Sequence, residues 1–446
     1  MVTICGSLPF SVDMGLFSAT MGNAHVRLTE KPWKRNSMNP SNRGFLITLA
    51  VFASMHHCAA QSWTGTSAPT RVTWAALAGS ADGTKLAAAA SWPNWSVYVS
   101  SNSGATWTAM ALNIGLNCLV SSADGTKLAG AQENDGFIFT STNSGASWTQ
   151  TSAPQRYWYF MTCSTNLTKL AAIGEDGQPG PIQIYTSGDS GTTWTLSSAP
   201  ATNWNGLASS ADGTKLIAST GGNGIFYTST DSGTTWSPQT NEPNIWWGAL
   251  ASSADGTKLA AVAVGGGIYT STNAGTNWTQ QTDAPDEDWQ VIASSADGTT
   301  LVAAVNPSGF GIYTPSPIYT STNSGLTWTS NNVPQELWTG VFCSADGSQW
   351  AACSANISTN PYGYAPDQII TSRPHLWMSM AVTGANVTVL WPWPAANYQL
   401  QQNPDVTTTN WVNVTNPPLI TNYQSGVTLP NYGNKRFFRL INTSLP

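Results

Sequence analysis

Apolar and polar residues alternate along most of this chain in short runs that are separated by turn-forming residues. Residues 267–270, Gly-Ile-Tyr-Thr, are one of many such runs. Alternation with a period of two residues is typical of β-strands. Thr, Ser, Gly and Trp are abundant while Lys and Glu are rare, and this usage favours strands and turns over helices. We therefore predict an all-β fold.

One heptapeptide, Ser-Ala-Asp-Gly-Thr-Lys-Leu, recurs along the chain with small variations. A degenerate copy spans residues 164–170, and the other copies place their Asp at Asp82, Asp124, Asp212, Asp255, Asp297 and Asp346. Successive copies are 42, 42, 46, 43, 42 and 49 residues apart, which is the period of a four-stranded propeller blade. Asp-Gly between apolar runs predicts a hairpin, and we expect a two-residue type I′ turn with positive φ at both residues.

A second motif, Ser-x-Asn/Asp-x-Gly-x-x-Trp, follows six of the copies, with its Trp at Trp107, Trp148, Trp194, Trp236, Trp278 and Trp328. It resembles the Asp-box, or bacterial neuraminidase repeat, of sialidases, sortilin-like receptors, xyloglucan hydrolases and photosystem II assembly factors. Here Asn holds the Asp position in four copies, and only Asp189 and Asp231 keep the acid. The resemblance implies a β-propeller in which the box is a structural turn, and it implies no chemistry.

The repeats also predict how the ring closes. Seven Asp-Gly units are followed by only six boxes, while residues 61–69 copy residues 146–154, which follow a box. We therefore expect the first mature strand to be the outer strand of the last blade, because closure removes an exposed sheet edge. The prediction is a seven-bladed Asp-box propeller over residues 61–374.

Residues 375–446 lack the repeat and alternate apolar and polar positions between turn residues, so we predict a small β-module. The ending Phe437-Phe438-Arg439-Leu440 resembles the C-terminal β-module on secreted proteins of Verrucomicrobia-like bacteria. That resemblance implies a surface or sorting appendage, and a plain structural cap is the alternative.

Residues 38–60 have the three parts of a secretory signal peptide, namely a basic residue, a short apolar run over 44–53 and small residues before Gln61. Secreted, periplasmic or cell-surface localisation follows, and the run is too short for a spanning helix. Two interpretations of residues 1–37 stay open, a genuine extension or an artefact of a misplaced translation start.

Charge and residue inventory exclude several functions. After cleavage, 11 basic and 20 acidic residues leave a net charge of −9, which argues against nucleic acid partners and against anionic membranes. We expect no stable membrane insertion. The only remaining histidine, His375, cannot build a triad or a histidine metal site. The four remaining cysteines match no metal motif, so we expect no cofactor and no metal.

Glycoside hydrolysis is the alternative that the family resemblance raises. Sialidases hold the substrate carboxylate with three arginines and an Arg-Ile-Pro signature, whereas this propeller has only Arg71, Arg156 and Arg373 and no signature. Related xyloglucan hydrolases place two carboxylates across a cleft between two propellers, whereas this chain has a single propeller. We assign no catalytic residue, although loop acids leave a hydrolase or lyase open.

A tryptophan stands eight residues before the Asp or Asn of each turn, except in the second unit, where Leu116 replaces it: Trp74, Trp158, Trp204, Trp247, Trp289 and Trp338. This position begins the innermost strand of each blade, on the face that carries the variable loops. Because variable loops on a rigid scaffold often carry function, we predict a binding face that also includes Trp92, Trp95, Asp286, Glu287 and Asp288. The alternative is that the rings only wedge neighbouring blades together.

The leading hypothesis is an exported, non-catalytic binding propeller that recognises a glycan or a protein through this one face. A glycoside hydrolase or lyase of the sialidase-like superfamily is one alternative. An assembly factor for a membrane complex is the other, because the photosystem II factors share the resemblance.

The first testable prediction concerns processing. The signal sequence predicts cleavage between Ala60 and Gln61, so N-terminal sequencing of exported protein should begin at Gln61. Exported protein that still carries residues 1–55 would contradict the prediction.

Overall fold

The computed structural model describes residues 17–22, 25–30, 62–70, 72–91, 95–110, 114–132, 134–177, 180–222, 224–239, 245–305, 316–331, 333–334, 336–355 and 368–373, and in the C-terminal part 379–383, 386–392, 398–403, 410–416, 419–421, 424–430 and 437–442. These residues contain strands and turns and no helix, which confirms the all-β prediction. Seven four-stranded antiparallel sheets form the propeller, so the seven-bladed prediction is also confirmed. The predicted signal peptide lies outside the described residues.

Each blade has four antiparallel strands that follow one another from the axis outward. The innermost strands are Trp74–Gly79, Leu116–Ser121, Tyr157–Cys163, Trp204–Ser209, Trp247–Ser252, Trp289–Ser294 and Trp338–Cys343. The second strands are Leu86–Ala90, Leu128–Gln132, Leu170–Glu175, Leu216–Thr220, Leu259–Ala263, Leu301–Val305 and Trp350–Ser354. The third strands are Ser96–Ser100, Ile138–Ser141, Ile182–Ser187, Phe226–Ser229, Ile268–Ser271, Ile318–Ser321 and Ile369–Arg373. The outer strands are Thr108–Met110, Thr149–Gln150, Thr195–Leu196, Ser237–Pro238, Thr279–Gln281, Thr329–Ser330 and, in blade 7, Ser62–Gly65.

A closed ring of backbone hydrogen bonds joins the seven blades around the axis. In each Asp-Gly turn, the amide of the residue before the Asp or Asn donates to the carbonyl of its counterpart in the next blade, at 2.6–2.8 Å. The residues in ring order are Ala81, Ala123, Thr165, Ala211, Ala254, Ala296 and Ala345. The bond from Ala345 back to Ala81 completes the circle, so every blade is bonded to both neighbours.

The turns differ from the type I′ geometry expected of Asp-Gly. Gly83 has a φ of 66°, but Asp82 is not among the residues with positive φ, and Gly83 N donates to Ser80 O at 2.9 Å. The Asp side chain instead accepts from Ser80 Oγ at 2.5 Å and from Thr84 N at 3.0 Å. The expectation of two positive φ values was therefore wrong, because these bonds hold the Asp side chain over a four-residue turn.

Two successive positive φ values occur in the second motif. Ser103 and Gly104 have φ values of 55° and 83°, and Ala105 N donates to Asn102 O at 3.1 Å. Asn102 Oδ1 accepts from Thr106 N at 2.8 Å, and Trp107 Nε1 donates to Gly104 O at 3.1 Å. The motif is a turn that bonds mostly within itself and is joined to the Asp-Gly turn of its own blade by the bond from Ser103 N to Thr84 O, at 2.8 Å.

The seventh blade is assembled from both ends of the propeller sequence. Ser62–Gly65 pairs antiparallel with Ile369–Arg373, with Trp63 opposite Ser372. The Trp63 and Trp350 ring centroids lie 5.9 Å apart, and Thr66 N donates to Ile369 O at 3.0 Å. The outer edge of the last blade is covered by a strand that is more than 300 residues away in the chain.

The core lies between the blades, and small side chains make up much of the second strands within it. Residues 86–90, Leu-Ala-Ala-Ala-Ala, are buried throughout, as are the second strands of blades 3 to 7. Alanine lets neighbouring sheets approach closely while burying both faces of the second strand. Cys118, Cys163, Cys343 and Cys353 are free thiols. Burial raises the pKa of Cys118 and of Cys353 to about 12, so these thiols stay protonated.

The C-terminal residues form two further sheets. One contains Ser379–Thr383, Asn386–Pro392, Gln424–Pro430 and Leu419–Thr421, and the other contains Val412–Asn413, Tyr398–Asn403 and Phe437–Asn442. Val389 and Val427 of the first sheet pack with Leu400 of the second in one apolar cluster. Near the N-terminus, Phe17–Gly22 pairs with His25–Glu30. The described part of the chain contains no helix of the length and apolarity that crossing a membrane requires.

Removing the strand that completes blade 7 should destabilise the whole ring. Deleting residues 62–69 leaves the Ile369–Arg373 edge unpaired and strips Trp63 from Trp350, and losing one such aromatic contact set costs roughly 3–5 kcal/mol. We expect a melting temperature several degrees below that of the chain that starts at Gln61. Thermal melting by circular dichroism measures this, and a change within about one degree would refute the closure.

The turn carboxylates predict how stability depends on pH. Hydrogen bonds from Ser210 Oγ and from Thr214 lower the pKa of Asp212 to about 2, whereas burial raises the pKa of Asp346 in the same turn of blade 7. A depressed folded pKa means that the Asp212 contribution is present above the unfolded value of about 3.9 and is lost as pH falls toward 2. A raised pKa has the opposite sign.

The substitutions Asp212→Asn and Asp346→Asn test this, since Asn166 already occupies the position in blade 3 and accepts the same bonds from Ser164 and Thr168. Asp212→Asn should lower the melting temperature at pH 7 by about 1–2 °C and have no effect at pH 2. Asp346→Asn should cause no loss at pH 7. Equal effects of the two substitutions at both pH values would contradict the assignment.

Candidate binding surface

The strand directions give the propeller two unlike faces. Each innermost strand begins at one face of the propeller and ends at the other, and the following strands alternate in direction. The face where the innermost strands begin therefore also carries the loops between second and third strands and the connections between blades. We call it the loop face. The opposite turn face carries the Asp-Gly turns and the second motif. All five lysines of the propeller, Lys85, Lys127, Lys169, Lys215 and Lys258, stand in Asp-Gly turns, so the loop face receives none of them.

The six tryptophans that begin innermost strands are core residues. Their exposed fractions are 0–2 %, and the rings pack against aromatic side chains, as Trp74 does on Tyr98 with centroids 5.3 Å apart. Trp247 Nε1 donates to Gly224 O at 2.7 Å and Trp338 Nε1 to Ser316 O at 2.8 Å, which ties each ring to the preceding blade. A ring with no exposed face cannot stack on a ligand. Trp74, Trp158, Trp204, Trp247, Trp289 and Trp338 are therefore wedges between blades and not ligand contacts.

A further set of polar residues lies one position after these tryptophans or after Leu116, and it was not singled out from the sequence. The register shifts just after the Trp or Leu116 at the start of each innermost strand, which is a β-bulge. Asn117 and Asn205 donate through Nδ2 to the carbonyl oxygen of the tryptophan in the next blade, and Thr339 Oγ1 donates to Trp74 O at 2.7 Å. These bonds tie neighbouring blades together at the loop face. The sequence signal was a polar residue directly after Leu116, Trp204 and Trp338.

The predicted acids lie together on the connection from blade 5 to blade 6. Glu287 exchanges two backbone hydrogen bonds with Gly266, at 2.9 and 3.2 Å. Asp288 Oδ1 lies 3.6 Å from the position of a Cβ built on Gly265. Asp286 and Glu287 are exposed and Asp288 is half-buried. Among the described residues the only ion pair joins Arg156 to Asp176, so the three carboxylates present an uncompensated negative charge.

An exposed tryptophan is bonded to the hairpin that these acids contact. Trp246 is 54 % exposed, in contrast to the fully buried Trp247 next to it. Its carbonyl accepts from Val264 N at 2.9 Å, which ties the segment before the innermost strand of blade 5 to the hairpin that contains Gly265 and Gly266. Strand alternation sends the side chains of adjacent residues to opposite sides, so the doubled Trp was the signal for an exposed ring. We call Trp246, Asp286, Glu287 and Asp288 the acidic patch.

Burial and the negative charge of the acidic patch raise the pKa of two tyrosines. Burial raises the pKa of Tyr319, and the charge of Glu287 raises it further. Burial and the charge of Asp286 do the same for Tyr269. Both tyrosines pack edge-on against a buried tryptophan, Tyr319 on Trp289 and Tyr269 on Trp247. Both tyrosines therefore stay protonated at neutral pH and carry no charge that would offset the acids.

The other predicted contact residues lie in blade 1. Trp95 is half-buried and has a φ of 38°, a backbone conformation that is costly for a bulky residue and that often accompanies function. Blades 6 and 7 separate it from the acidic patch. Trp92 lies outside the described residues, as do the variable loops at 307–310 and 361–364.

Two buried glutamates also lie on the loop face. Glu175 accepts from the Tyr159 hydroxyl and from Gly180 N at 3.0 Å, and Glu336 Oε1 accepts from Gln368 Nε2 at 3.1 Å. They belong to blade 3 and to the connection into blade 7, and each is held by hydrogen bond donors. Among the described residues, no group of three or more His, Cys, Asp or Glu side chains could hold a metal ion.

Comparisons with known proteins identify the fold. No family model and no curated protein matches this chain. A solved structure described as YCF48 bound to D1 peptide is similar, with a TM-score of 0.50, 17% identity, and coverage of 71% of this chain and 96% of that chain. YCF48 from Cyanidioschyzon merolae has a TM-score of 0.52, 14% identity, and coverage of 70% and 98%.

A glycoside hydrolase is similar to the same degree. The GH74 xyloglucanase from Xanthomonas campestris has a TM-score of 0.51 and 14% identity, and the match covers 74% of this chain and 59% of that chain. At these identities the likeness extends to the β-propeller fold alone, which YCF48 and the xyloglucanase share.

Proposed function

We propose that this protein is an exported, non-catalytic binding propeller that recognises a cationic segment of a partner protein at the acidic patch. The observation that carries the proposal is one hairpin of blade 5 that links the exposed Trp246 to three carboxylates that form no ion pair with a described residue, Asp286, Glu287 and Asp288. Val264 N in this hairpin donates to Trp246 O, and Gly266 exchanges two backbone hydrogen bonds with Glu287.

The chemistry of the patch suits a Lys or Arg side chain. A cation over the face of Trp gains about 0.5–2 kcal/mol, and Trp is the best aromatic partner for it. Carboxylates at the edge of the ring would accept the hydrogen bonds of the same ammonium or guanidinium group. The lysines of the propeller are confined to the turn face and the mature chain has a net charge of −9, which steers a cationic ligand toward the loop face.

The backbone of the patch is already held in place before a ligand binds. Its hairpin pairs with the acidic connection through Gly266 and Glu287, and Trp247 beneath it is fully buried. A site that is already rigid loses less conformational entropy on binding. A structural neighbour that was solved with a bound peptide supports a peptide ligand over a glycan. Docking on a membrane protein, as an assembly factor does, is one form that such a partner takes.

The proposal predicts specific losses of peptide binding. On an array of nonapeptides of varied charge, Lys- and Arg-rich members should bind, and added salt should weaken binding. Trp246→Ala should reduce affinity about 3- to 30-fold through loss of the cation–π contact. The triple variant Asp286→Asn, Glu287→Gln, Asp288→Asn should reduce it further. Fluorescence anisotropy with the best peptide measures each constant.

Two substitutions serve as controls for the peptide experiment. Trp247→Ala, in the adjacent buried position, should lower the melting temperature because a buried aromatic costs roughly 3–5 kcal/mol to remove, whereas Trp246→Ala should leave it unchanged. Leu326→Ala, which removes an exposed apolar side chain from the turn face, should change neither property. If no peptide binds and a glycan on an array binds in a way that depends on Trp246, the ligand is a sugar and the proposed protein partner is wrong. Turnover of a glycoside substrate would overturn the non-catalytic assignment.

A further inference from the structure

The cleft between blades 1 and 2 on the turn face differs from its counterparts. Equivalent clefts between blades 3 and 4 and between blades 5 and 6 hold about 10 Å³ each, and that between blades 4 and 5 holds about 50 Å³. The cleft between blades 1 and 2 holds about 190 Å³. Residues of the second and third strands of one blade and turn residues of the next line all four clefts, and the cleft between blades 1 and 2 is lined in addition by Thr106, Thr108 and Met110.

Blade 1 lacks a polar pair that blades 4 and 5 have beside their clefts. In blade 4, Gln239 Nε2 donates to Thr228 Oγ1 at 2.8 Å, and in blade 5 Gln281 Nε2 donates to Thr270 Oγ1 at 2.6 Å. The corresponding positions of blade 1 are Met110 and Val99, as the strand pairing shows. This apolar pair cannot form the bond, and both side chains line the cleft instead.

A second contact is absent from the sequence of blade 1. Ser152 Oγ, two residues after the outer strand of blade 2, donates to Thr192 O at 2.7 Å in the next blade, and Ser198 Oγ donates to Thr234 O at 2.6 Å. The repeat has alanine at this position in blade 1, residue 111, so the blade 1 sequence supplies no hydroxyl for this bond.

The lining of the cleft indicates the chemistry of a ligand. Leu86, Val99, Met110 and Leu128 form an apolar floor, and serine and threonine side chains surround it. Among the described residues that line the cleft, Lys85 is the only charged one. Its Nζ donates to Asp124 O at 2.9 Å, which leaves two ammonium protons for another acceptor.

We propose that this cleft binds a small carboxylate whose apolar body is about one ring in size. An apolar cavity of about 150 Å³ is large enough for benzene, so the 190 Å³ cleft accepts a ring together with a carboxyl group. The ring lies on the apolar floor, with Met110 adapting to its shape, and the carboxylate pairs with Lys85. The site is on the turn face and is independent of the acidic patch.

Benzoate is the probe that tests the proposal, with isothermal titration calorimetry on the chain that starts at Gln61. A ligand of this size should bind with a Kd on the order of 1 mM. The double variant Val99→Thr, Met110→Gln rebuilds the pair that blades 4 and 5 already contain, and it should weaken benzoate binding at least about 10-fold. Lys85→Met should abolish the preference for benzoate over benzyl alcohol.

Lys215→Met is the matched control, because Lys215 lines the smaller cleft between blades 4 and 5. It should leave benzoate binding unchanged, and all variants should melt close to the parent. Absence of saturable binding at ten times the expected Kd would overturn the site. Equal binding by the double variant would overturn the location, and equal binding of benzyl alcohol would overturn the carboxylate specificity.

Discussion

The ring of seven backbone hydrogen bonds between Asp-Gly turns is the constraint on which the structure depends. Each bond joins equivalent turn residues of adjacent blades, and the one from Ala345 to Ala81 returns the ring to its start. Because one residue per blade makes both bonds, all seven turns must adopt nearly the same conformation. The Ser, Asp and Thr side chains within each turn satisfy one another and hold that conformation, which explains why the heptapeptide varies so little.

This constraint divides the molecule into a structural face and a free face. The turn face devotes its carboxylates, hydroxyls and lysines to local bonds and to the next blade, as Lys85 does with Asp124 O. The loop face is tied together by buried tryptophans and by bulge residues such as Asn117 and Thr339. The acidic patch consists of side chains outside this set of buried tryptophans and bulge residues. The cleft between blades 1 and 2 is the exception, where one repeat departs from the pattern on the turn face.

Trp246 and Trp247 show how much burial decides. They are adjacent and chemically identical, yet the first is 54 % exposed and the second is fully buried. The repeat explains Trp247, since it occupies the position of the wedge in six blades. Trp246 lies outside the repeat, so no structural role is assigned to its ring, and its surroundings are set by the hairpin to which its backbone is bonded.

The sequence by itself determined the all-β class, the seven blades and the pairing of residues 62–65 with the last blade, because these follow from counting repeats whose copies must fold alike. The acids of the patch were also identified, since they interrupt the repeat in a connection. Only the tertiary structure decided which tryptophans are buried, that Asp82 keeps a negative φ and that one hairpin links Trp246 to the acids. A repeated residue at a blade entrance is compatible with a wedge or with a contact, and the two differ only in how closely the neighbouring blade packs. That distance is set by contacts among residues more than 40 positions apart, which no local pattern records.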